Sequence, residues 1–131
     1  EIIGHKITKV EWSVRRNSGT GANLEMRCDV MDSGCVVKDT IGVDVAASTI
    51  GAAFEYISFT GSANDYAITN TDMLRLRIVS DSGTGTDTTE MESERCTACT
   101  VTNTRGGYSR SCVQTWYATS NCTIKVTYTL P

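Results

Sequence analysis

Apolar and polar residues alternate with a period of two along most of this chain, and that alternation predicts strands. Val10, Trp12 and Val14 alternate with Lys9, Glu11, Ser13 and Arg15, which makes one face apolar and the other wet. Ala22, Leu24, Met26 and Cys28 alternate with Asn23, Glu25 and Arg27 in the same way. Between them Asn17–Gly21 (NSGTG) supplies two glycines able to take positive φ and polar side chains able to bond nearby backbone. Lys6–Cys28 therefore reads as an antiparallel pair that covers something on one side.

The same rule carries on downstream. Cys28–Cys35 reads as a hairpin whose ends are tied by their own cysteines, a ring worth about 2–3 kcal/mol by the chain-entropy argument. Val36–Thr49 is rich in β-branched residues, which suit a pleated surface. Ala46–Ala53 reads as a crossover between sheets, with a helical turn as the alternative. Phe54–Thr60 sets Glu55, Ile57 and Phe59 against Phe54, Tyr56 and Ser58, so aromatics lie on both faces and the strand is expected to be covered on both. Gly61–Asp65 is a turn, Tyr66–Thr69 a short strand and Asn70–Asp72 a turn. Met73–Ser80 is the clearest core strand, with Leu74, Leu76 and Ile78 inward and Arg75 and Arg77 outward. Asp81–Arg95 is the longest expected loop, Asn103–Gly107 a hairpin turn, and Tyr108–Ala118 and Cys122–Leu130 strands.

With a single proline and no amphipathic helix of three turns, this pattern predicts an all-β antiparallel sandwich formed by residues 1–131 as one domain. Glu1–His5 shows no alternation and is expected to be extended, or exchanged with a neighbour. The strand, Ser/Gly/Thr loop, strand and Asp32–Gly34 turn, followed by the run FEYISFTGSANDYAITNTDMLRLRIVSDSGTG at Phe54–Gly85, resemble the secreted jelly-roll sandwich modules of archaeal and phage surface proteins. Those modules are similar in shape to carbohydrate-binding β-sandwiches. The resemblance covers Ile7 to Gly85, and it implies a jelly-roll-like sandwich on an extracellular or virion surface without implying a catalytic residue.

Composition narrows the function classes. A chain of 131 residues buries about two-thirds of its unfolded surface and has a real core. Its net charge of −3 mixes both signs, which disfavours nucleic acid and anionic membrane as partners. No apolar run has the length of a membrane span, so membrane insertion is not expected. A chain opening on Glu1 is expected to have lost a leader or been cut from a precursor. The six cysteines, Cys28, Cys35, Cys96, Cys99, Cys112 and Cys122, are expected to be disulfides formed in an oxidising compartment.

Several constellations could carry chemistry. Cys96, Cys99, Cys112 and Cys122 (C-x2-C-x12-C-x9-C) open with zinc-knuckle spacing but lack a second close pair, so disulfides are preferred to a metal site. Asp81 and Asp87 flank an oxygen-rich loop able to wrap Ca2+, without the ligand order of an EF-hand and with a solvated acidic loop as the alternative. Glu90, Glu92 and Glu94 lack the apolar surroundings that make a carboxylate an acid catalyst, and a triad would need His5, the single histidine. No enzyme is expected. Tyr66, Tyr108, Trp116 and Tyr117 are candidate sugar-stacking rings, Trp12 being assigned to the core, and Asn121–Thr123 fits the glycosylation sequon at Asn121.

The sequence thus leads to a structural subunit or decoration protein of an extracellular or viral assembly, a capsid or filament, that forms homo-oligomers through sheet edges or termini. The alternative is a carbohydrate-binding or adhesion module.

Overall fold

The structure, a computed structural model, describes residues 3–22, 24–80, 89–93, 100–103 and 124–129. Its strands are β1 (Ile7–Ser18), β2 (Leu24–Met31), β3 (Val37–Ala46), β4 (Glu55–Thr60), β5 (Met73–Ser80), β6 (Thr89–Ser93), β7 (Thr100–Asn103) and β8 (Ile124–Tyr128). The fold among the described residues is all-β and antiparallel, with one 3-10 turn at Ala47–Thr49 in the crossover from β3 to β4.

Two sheets share the strands. The larger runs β4-β1-β6-β7, and β8 also pairs with β1; the smaller runs β3-β2-β5. The first half of β1 lies between β4 and β8, with Glu11 opposite both Ser58 and Lys125, and the second half passes to β6, with Arg15 opposite Glu92. Alternation fixes which side of each strand is covered, because a register shift of one residue would turn the whole apolar set to water. Val10, Trp12 and Val14 from β1 thus meet Leu24, Met26, Cys28 and Val30 from β2, closed by Ile57 and Phe59 from β4 and Leu74 and Leu76 from β5. Each such side chain contributes on the order of 1.5–3 kcal/mol by leaving water, and Trp12 and Phe59 are fully buried.

Two glycines hold the layers together. Gly42 has φ +70° and donates its N–H to Gly61 O at 2.9 Å, bringing the edge of β3 onto the end of β4. A Cβ there would stand 2.5 Å from Thr60 N, so no larger residue fits without moving backbone. Gly21, at φ +71°, presses on the backbone of Ala47 and Ser48, and its N–H donates to Thr89 Oγ1 at 2.9 Å.

Several expectations are corrected. Cys28 and Cys35 are both free thiols and form no ring. The period of two that makes Cys28 a core residue turns its Sγ inward, where Trp12 Nε1 donates to it at 3.4 Å. β2 then runs on to Met31, and the turn is closed instead by Asp32 Oδ1, which accepts from the N–H groups of Gly34 and Val36. Asp81–Arg95 is not wholly loop, since β6 forms within it and buries Thr89 and Met91. Tyr66–Thr69 makes only an isolated bridge, Ala67 to Lys6. β4 is covered on one face only: Ile57 and Phe59 are buried, while Phe54 is 38% and Tyr56 42% exposed.

Candidate functional site: two polar sheet faces

Outward positions of β1, β4 and β8 build one continuous surface. Lys9, Glu11, Ser13 and Arg15 alternate with the core residues of β1, and the register sets Tyr56 opposite Ser13 and Ser58 opposite Glu11. Lys125 Nζ lies 4.0 Å from the centre of the Tyr56 ring, and the Arg15 guanidinium carbon 4.7 Å from that of Phe54. Both fall within the range where a cation is attracted to the negative face of an aromatic ring. Glu11 accepts from Lys9 Nζ at 3.1 Å and from Ser58 at 3.3 Å, and the Lys9 ammonium holds its carboxyl below the ordinary carboxylate range. The result is a strip of two rings, each with a cation over it, with Ser13 buried beside them.

The outer face of β3-β2-β5 is built differently. Asp29 is fully buried there, although the alternation of β2 assigns it to the wet face. Its Oδ1 accepts from Thr40 Oγ1 at 2.9 Å, and its Oδ2 from Arg75 Nη2 at 3.0 Å. Arg77 Nε stands 2.6 Å from the same Oδ2, an electrostatic contact whose N–H is not aimed at the oxygen. Beside it Asp44 accepts both Arg27 Nε contacts, at 2.8 and 3.0 Å, in a forked pair that raises the Arg27 pKa. Arg75 and Arg77 do point away from the core, as alternation requires, but they fold down onto Asp29 instead of into water.

A third carboxylate ties a loop. Asp39, at the end of the core, accepts from the backbone N–H groups of Thr40, Asn64 and Tyr66 and from the Ser62 hydroxyl. These contacts shape residues 62–66 and account for the burial of an acid that makes no ion pair among the described residues.

Of the ring candidates, only Tyr66 lies within the described residues. Its ring is half-buried and packs against the core, and burial together with the neighbouring Asp72 carboxylate raises its phenol pKa. Tyr108, Trp116, Tyr117, the Asp81 and Asp87 calcium pair, Asn121 and the cysteines Cys96, Cys99, Cys112 and Cys122 lie outside the described residues, as does Glu94. Among the described residues no group of three or more His, Cys, Asp or Glu is arranged to hold a metal ion, and no helix is long and apolar enough to cross a membrane. Phe54 and Tyr56 were missed as site residues; the signal was their place on the face opposite Ile57 and Phe59. No protein-family model, curated protein or solved structure matches this chain.

Proposed function

We propose that this domain is a non-catalytic structural subunit or decoration protein of an extracellular or viral assembly, a capsid or filament, and that the outer face of β4-β1-β8 is its contact surface. The observation that carries the reading is the pair of exposed rings, Phe54 and Tyr56, each with a cation over it. Aromatic residues and arginine are the side chains that dominate protein interfaces, and here the register holds Tyr56 opposite Ser13 with Phe54 one residue before β4. The carboxylates Asp29, Asp39 and Asp44 are occupied in holding strands and loops, which also fits a structural role. A jelly-roll path, with disulfides among Cys96, Cys99, Cys112 and Cys122, is the form of the sandwich we propose for the whole domain.

The test is native mass spectrometry and sedimentation over a range of concentrations. The parent chain forms homo-oligomers, and Tyr56→Ala weakens them by about tenfold or more, as loss of an interface anchor does. A parent chain that stays monomeric at every concentration refutes the reading.

A second reading, a carbohydrate-binding module, draws on the same rings. Phe54 and Tyr56 are two residues apart on one face, about 7 Å, a spacing suited to stacking along a sugar chain. The cation on each ring already occupies one of its faces, which favours the protein partner. Glycan-array binding that disappears in Tyr56→Ala would reverse that order.

A further inference from the structure

We propose that residues 3–6 are an exchangeable strand, and that the slot they fill in one chain is filled by the same residues of a second copy. The inference rests on the assembly reading above and names the element that links the copies.

The slot has two walls. On one side Gly4 N donates to Ile68 O at 2.7 Å, Ile68 N donates to His5 O at 2.9 Å, and Lys6 bridges Ala67. On the other, Thr129 N donates to Lys6 O at 2.8 Å, and His5 Nδ1 bonds Thr129 O while the His5 ring meets Tyr128 edge-to-face with centroids 5.0 Å apart. At the exposed rim Lys6 Nζ pairs with Asp65 Oδ2 at 2.8 Å. The segment is thus held on both edges by backbone bonds and by side-chain pairs that match its own sequence.

What it lacks is an apolar anchor. Ile3 and Gly4 are exposed, His5 and Lys6 are half-buried, and the first fully buried side chain is Ile7. A strand held by hydrogen bonds without core burial opens locally while the rest of the domain stays folded. The register of β1 against β8 shifts between Ile7 and Lys9, so the strand is irregular next to this segment, with the buried Ile7 standing between the segment and the shift.

Opening would leave Ile68 and Thr129 with unpaired donors and acceptors on facing edges. The occupant that restores every bond, including the His5–Tyr128 and Lys6–Asp65 pairs, is the same segment of another chain. Lys6 is itself exchanged and Ile7 stays buried in its own core, so almost no chain is left to cross between copies, and exchange joins only copies whose slots abut.

The unaltered chain supplies its own test. Equal amounts of 15N-labelled and unlabelled protein are incubated together at high concentration and treated with a carbodiimide, which condenses the Lys6 amine with the Asp65 carboxylate. The oligomer fraction is then digested and weighed. Exchange predicts that roughly half of the Lys6–Asp65 linked peptides carry one heavy and one light chain, falling to none in the dilute monomer. Oligomers whose linked peptides are all of one isotope overturn the strand exchange and leave the assembly reading standing. Absence of oligomers at any concentration overturns both.

Discussion

On the outer face of β3-β2-β5 the charges close on one another, with Asp29 fully buried beneath Arg75, Arg77 and Thr40, whereas on the outer face of β4-β1-β8 the cations lie over aromatic rings that remain about two-fifths exposed. Both faces obey the same strand alternation and both carry cations. The difference lies in what each cation meets. A buried carboxylate fixes its arginines in place, and that cluster is committed to holding three strands together. An aromatic ring holds its cation more weakly and leaves polar and apolar surface open to a partner. Polarity along a strand therefore tells which residues face away from the core, and the partner across the sheet decides whether they are structure or surface.

The comparison can be broken most forcibly at Asp29. Asp29→Ala leaves two mostly buried guanidinium groups without their counter-charge, and is expected to cost about 3–5 kcal/mol in urea denaturation. Tyr56→Ala on the other face is expected to change stability by less than about 1 kcal/mol, because a surface side chain away from caps and buried pairs contributes little. Equal losses at the two sites would erase the distinction. Gly42→Ala, which forces a Cβ against Thr60 N at positive φ where β3 meets β4, is expected to cost about 2–4 kcal/mol by the same assay.

The thiols sharpen the contrast between buried and open positions. Burial pushes the Cys28 thiol up to about 12, while Cys35 sits on an exposed turn. Iodoacetamide at neutral pH is expected to modify Cys35 and to spare Cys28 until the protein unfolds, read by peptide mapping. Modification of both at equal rates would contradict the core position of Cys28.

The smallest effects belong to exposed ion pairs. Glu11, held down by Lys9, and Asp32, held down by Lys38 and the Val36 and Gly34 N–H groups, both have lowered folded-state pKa values. Each adds stability that is fully present above the ordinary carboxylate range near about pH 4, and loses it as pH falls through its lowered value. Thermal melts are expected to fall modestly below that pH. Raising salt is expected to weaken the Lys9–Glu11 pair more than the Asp29 cluster. A melt set by salt alone would place the stabilising charges on the surface instead.

Much of the fold was legible because it rests on period-two alternation. β1, β2 and β5 follow directly from it, and Trp12 was assigned correctly to the core. Cys28 illustrates where the rule was set aside: alternation already turned it inward, yet sequence proximity to Cys35 invited a bridge, and the structure has Cys28 buried and Cys35 exposed as free thiols. β6 was hidden because Glu90 and Glu92 dominate the segment, although Thr89 and Met91 alternate with them and are the buried pair. The buried Asp29 was beyond reach, since its partner Arg75 lies 46 residues further along the chain and only the register of β2 with β5 sets them opposite. The open state of Phe54 and Tyr56 was equally hidden, because alternation assigns a face without saying what covers it.

The most direct test of the central claim compares the parent chain with the Phe54→Ala/Tyr56→Ala double variant by sedimentation velocity at matched concentrations, with urea denaturation run alongside. The account predicts concentration-dependent assembly of the parent and a variant of near-parental stability that sediments as a monomer. A variant that assembles as the parent does, or a parent that never assembles, would contradict it.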